Sequence, residues 1–139
     1  MWTHIHGGAT HFPIALLVAS VLFDGLAMRA AGARRGELRA AAFYSLVLAA
    51  AGAVGAIVSG LILCKGNITL EGALGMHHRF VWPASALLIG LAAFRIWLRT
   101  KRGSGEQGSK RTVLVYFFIA IAASALICAA GYWGGEMLG

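Results

Sequence analysis

The chain has 139 residues, 59% hydrophobic and 12% charged, with a net charge of +7 and a mean hydropathy of +0.76. A soluble domain carries about 25% charged residues, so this composition excludes an ordinary soluble domain and a disordered chain, and points to an integral membrane protein. The basic residues fall in two short clusters between apolar runs, which excludes a nucleic-acid-binding surface and reads as a topology signal.

In chain order, "HIHGGATHFPIALL" comes first and carries His4, His6 and His11. It has no basic leader region, and no small-residue cleavage site follows the first apolar run, so that run is expected to remain as a membrane span. A helix crossing the hydrocarbon needs about 20 apolar residues. Four runs qualify: residues 12–31, 41–64, 78–98 and 113–133. Thr10 is expected to cap the first helix, with His11, Phe12 and Pro13 in its first turn, where the missing proline N–H costs nothing. In span two, Gly52, Ala56 and Gly60 are four apart and line one ridge, against which a helix or a flat ligand can lie. Span three opens with "MHHRFVWP". His77 and His78 there sit about 100° apart on a helix, so one of them at most points squarely inward. Pro83 either kinks this span or begins its regular part. The chain ends "AGYWGGEMLG", where Gly134 and Gly135 are expected to stop the fourth helix just before Glu136.

The connections differ in charge. Arg29, Arg34, Arg35 and Arg39 lie between spans one and two; Arg95, Arg99, Lys101, Arg102, Lys110 and Arg111 lie around the connection of three and four. The other side holds only Lys65 and Arg79. Ten basic residues against two place both basic loops in the cytoplasm and both termini outside. The expected fold is all-α: an integral membrane four-helix bundle, one domain over residues 1–139, with spans one and three on a diagonal. Asp24 is the only acid within a span, and its burial costs at least ~2.5–3.5 kcal/mol on insertion scales. A structural pair with Arg95 or Arg29 is favoured over a proton path. Cys64 and Cys128 form neither a CxxC nor a haem-attachment CxxCH, so they read as small packing residues.

In this topology all five histidines fall on the outer side. Imidazole ligates haem iron, zinc and copper. A b-type haem takes two axial imidazoles on opposite helices and an apolar slot between them. Zinc takes three or four protein ligands, and a copper or zinc site from His4, His6, His11 and His77 is the alternative metal centre. The plain alternative is that amphipathic residues gather at the membrane interface. No Ser-His-Asp set, phosphate loop or HExxH occurs, so hydrolase and nucleotide chemistry are not indicated.

"IHGGATHFPIALL", "SGLILC", "HHRFVWPA" and "AGYWGGEM" together resemble a four-span bacterial membrane family, a domain of unknown function. The shared features are a His…His-Phe-Pro opening, a His-Arg start to span three and a Gly-Tyr-x-Gly-Gly-Glu ending. The resemblance covers nearly the whole chain. It matches the family's histidines to His6, His11 and His78, and therefore prefers His78 to His77. His6 is followed by Gly7, where many members have proline. Members lie beside or are fused to c-type cytochrome or Rieske-type modules, which implies membrane electron transfer.

The expected function is then a non-catalytic subunit of a respiratory complex in a bacterial cytoplasmic membrane. It would hold haem b near the outer face on His11 and His78, with His6 close by and Gly52, Ala56 and Gly60 lining the slot. His77 and Glu136 would steady the ligands from behind. Electrons would pass between an extracytoplasmic redox protein and quinone or another haem. The alternative is a cofactor-free anchor within the same kind of complex.

Overall fold

The computed structural model describes residues 2–66, 68, 71–102 and 109–136; for residues 2–7, 9 and 102 it describes the backbone alone. Four helices account for nearly all of this: α1 (Trp2–Arg29), α2 (Gly32–Leu63), α3 (Gly72–Arg102) and α4 (Lys110–Glu136). No strand occurs among the described residues. All four helices are long and apolar enough to cross a membrane.

One pattern sets the bundle. Buried positions alternate at intervals of four and three along each helix. On α1 they are Pro13, Leu17, Ser20, Asp24 and Ala27; on α2 Ala42, Leu46, Ala49 and Ala53; on α4 Tyr116, Ala120, Ala123, Ile127 and Ala130. α3 carries the same stripe at Ala84, Leu88, Leu91 and Arg95 and a second buried line at His78, Ser85 and Ala92. A repeat of 3.5 residues keeps a narrow seam facing its neighbours, as in left-handed antiparallel bundles. Alanine is the commonest residue of the seam, while Leu22, Leu48, Val58, Trp97 and Phe118 are exposed on the outside. Small residues inside and large apolar residues outside is the arrangement expected of helices packed in lipid, where close backbone approach drives association.

The contacts fix direction and neighbours. Ser20 Oγ donates to the Ala42 carbonyl at 2.8 Å. Gly52 lies against Phe12 and Pro13, so α1 and α2 run antiparallel. Gly25 faces Phe117 and Gly131 faces Ile14, which sets α4 antiparallel to α1. α1 packs on α2 and α4, and α3 packs on α4 and α2, so α1 and α3 are diagonal as expected. The two basic connections therefore share one end of the bundle, and His11, His77 and His78 share the other.

The helices are longer than the apolar runs predict, and two local readings are corrected, at Thr10 and at Gly134–Gly135. Thr10 lies inside α1, not at its cap, and Pro13 is an interior residue. The apolar count misses this because it begins at Phe12, whereas the helical backbone already runs through the polar residues before it. Pro13 removes the N–H that would bond the Ala9 carbonyl. Likewise Pro83 lies within α3, so His77 and His78 stand in its second turn. Gly134 and Gly135 do not end α4, which continues to Glu136.

Turn chemistry closes two of the ends. After α2, the Gly66 N–H bonds the Leu61 carbonyl at 2.9 Å and the Lys65 N–H bonds that of Ile62 at 3.2 Å. This is a Schellman closure, with Lys65 in the left-handed region (φ 53°) where glycine is usual. At the start of α4 the Ser109 hydroxyl accepts the Thr112 N–H at 3.3 Å, satisfying one free amide of the first turn.

Candidate functional site

The two ends of the bundle carry different polar groups. At the basic end, Asp24 on α1 and Arg95 on α3 meet across the diagonal, Nη1 to Oδ2 at 2.6 Å. Both belong to the seam and are buried. The same Arg95 nitrogen donates to the Tyr116 hydroxyl of α4 at 3.3 Å, and the guanidinium lies 5.1 Å from that ring. The Asp24–Arg95 pair is thus the expected structural ion pair; Arg29, the other expected partner, is exposed. A buried charge in an apolar bundle needs such neutralisation, and three helices are tied together by it. Arg39 also lines the small cavity beside Asp24, about 30 Å³, room for one or two waters. Nearby, Arg99 stacks on the Phe43 ring at 4.4 Å and pins α3 to α2.

At the other end, His78 on α3 is buried, with 7% of its surface exposed. It lies one heptad from Ser85 and two from Ala92, both buried, so it continues the inward face of α3. It also takes part in a polar or ring contact. His77, its neighbour, is half-buried and turned toward α4. Its Nδ1–H donates to the Ala130 carbonyl at 2.8 Å, which leaves Nε2 as the lone-pair nitrogen of the neutral ring. A Cβ on Gly134 would come within 3.3 Å of that Nδ1, so this glycine is what lets His77 reach the α4 backbone. The two rings stand 6.0 Å apart.

His11 lies at the same end on α1 but is exposed. The seam position next to it is Thr10, which is half-buried. Of the expected slot residues, Gly52 is filled from α1: a Cβ there would stand 3.2 Å from Phe12 and 3.4 Å from Pro13. Helix packing, one of the two uses expected of this ridge, is what Gly52 serves here. Ala56 and Gly60 are half-buried further along α2, and the Gly60 carbonyl accepts the Cys64 N–H at 2.9 Å. Glu136 is exposed at the end of α4. The side chains of His4 and His6 lie outside the described residues. Among the described residues no three of His, Cys, Asp and Glu gather as a metal site. Cys64 and Cys128 are unpaired, the first half-buried and the second exposed.

The sequence reading did not include Tyr116 and Ser20. Both stand on the four-and-three stripe of their helices, and that periodicity is the signal that finds them. The same stripe separates Thr10, inside, from His11, outside.

No curated protein and no solved structure matches the chain. One family model, described as a predicted membrane protein, matches residues 3–138, almost the full length. The family resemblance read from the four motifs therefore holds, and the chain belongs to the DUF2231 family of predicted membrane proteins.

Proposed function

We propose that this chain is a small, non-catalytic membrane subunit of a bacterial electron-transfer complex, and that its histidine end meets a b-type haem through His78. The basic end faces the cytoplasm and both termini face out, by the ten-to-two split of Lys and Arg. The redox partners are an extracytoplasmic protein of the c-type cytochrome or Rieske class on one side and quinone or another haem on the other. The observation that carries the reading is a buried imidazole on the inward face of a membrane helix. Such a group is expensive in lipid and marks a site by default.

The fit to haem divides between the two histidines. His78 has the rigid helix and the burial that an axial ligand needs. His11 does not share them: it is exposed, and the notches beside it on α2 and α4 are taken by Phe12, Pro13 and Ile14. A haem lying flat in the bundle centre between His11 and His78 does not fit this packing. The porphyrin, when bound, supplies the redox chemistry; the chain holds and orients it and keeps water away.

A second reading has its own support. The filled notches at Gly52 and Gly131 and the His77–Ala130 bond describe an end that is already closed by protein. That favours a cofactor-free anchor in the same kind of complex. Oxidised and reduced absorption spectra of the purified, folded chain separate the two. A reduced-state b-type spectrum, lost in His78→Ala, supports the haem site. A folded chain with no Soret band and no extractable haem leaves the anchor.

A further inference from the structure

At the basic end, on the outer face, a groove of about 490 Å³ runs between α3 and α4. Its length is lined by Leu87, Gly90, Leu91 and Ile119, and its end by Thr112 and Arg111. A Cβ at Gly90 would meet nothing within 4 Å, so the missing side chain deepens the groove where hydrocarbon would lie. Arg111 is exposed at the helix start. The groove is thus apolar along its length and cationic at one end, the polarity of a phospholipid with an anionic headgroup. Lys110 and Arg111 also occupy the first turn of α4, the positive end of its dipole. Cations are disfavoured there, and an anion beside them removes the penalty.

We propose that the α3–α4 groove binds one anionic phospholipid of the leaflet at the basic end. An acyl chain lies along Leu87, Gly90, Leu91 and Ile119, and the phosphate meets the Arg111 guanidinium and the Thr112 hydroxyl. Tyr116 lines both this groove and the cavity beside Asp24, so the lipid covers the outer side of the buried ion pair. The site is independent of the histidine end and of any cofactor there.

Native mass spectrometry of the detergent-purified full chain tests this, with phosphatidylglycerol and phosphatidylethanolamine added in turn. One cation beside a net-anionic headgroup predicts about fivefold greater retention of phosphatidylglycerol than of phosphatidylethanolamine, whose ammonium offsets its phosphate. Arg111→Gln removes that preference, and Gly90→Leu, which fills the groove, reduces retention of both lipids. Equal retention of the two lipids by the unaltered chain means exchangeable boundary lipid only and overturns the proposal. So does a preference that survives Arg111→Gln, or a co-purifying quinone that Gly90→Leu displaces. Should Gly90→Leu fail to fold, Arg111→Gln, an exposed change, still decides the outcome.

Discussion

At the scale of single residues, Asp24 and Arg95 show how a membrane bundle accommodates charge. Neither is tolerable alone: each is buried, and each satisfies the other at 2.6 Å. Asp24→Ala leaves a guanidinium buried with only the Tyr116 hydroxyl, and removing one partner of a buried pair costs about 3–5 kcal/mol. Thermal unfolding in detergent should show that loss, and Asp24→Ala combined with Arg95→Leu should recover most of it. A double variant no more stable than Asp24→Ala would mean the pair does more than neutralise itself. Gly52 makes the opposite kind of test. Its hydrogen faces Phe12 and Pro13, so Gly52→Val overpacks the α1–α2 contact by about 1–3 kcal/mol, read in the same melting experiment. If Gly52 lined an open slot for a flat ligand, the same change would leave the melting temperature of the ligand-free protein untouched.

At the scale of elements, the helices are set by seams rather than by apolar runs. Residues 12–31, 41–64, 78–98 and 113–133 were legible as spans because lipid demands about 20 apolar residues. What the runs did not show is where the helices extend past the hydrocarbon, because outside it a helix is held by its own backbone bonds and caps. The ends therefore depend on local chemistry such as the Schellman closure at Lys65 and the Ser109 cap. Lys65 adopts a conformation that favours glycine, so Lys65→Gly should stabilise the α2 terminus by about 1 kcal/mol. Amide exchange at Gly66 measures it: exchange should slow in the variant, and faster exchange would show that the lysine side chain is itself holding the turn. The Asp24–Arg95 pairing was legible from charge in an apolar span. The separation of Thr10 from His11 was legible too, but only in the spacing of Pro13, Leu17, Ser20, Asp24 and Ala27. The contact of His77 with Ala130 was not, since it depends on how closely α4 approaches at Gly134.

At the scale of the whole molecule, the bundle carries an ion pair near one end and imidazoles at the other. The basic end ties three helices through Asp24, Arg95 and Tyr116, with Arg99 on the α2 aromatics beside them. The other end holds the imidazoles. In the proposed topology that end faces out, and a periplasm-active reporter fused after Gly139 should be functional; activity of a cytoplasm-specific reporter instead would invert the assignment. The alanine-rich seam and the large apolar exterior suit a bundle that folds in lipid. The proposed haem at the histidine end is decided by the reduced-minus-oxidised spectrum of the purified chain, with haem counted per polypeptide. A b-type spectrum should appear, be abolished by His78→Ala, and be retained by a folded Asp24→Ala, Arg95→Leu variant at the far end. A spectrum that survives His78→Ala, or a folded wild-type chain with no haem, would contradict the proposal.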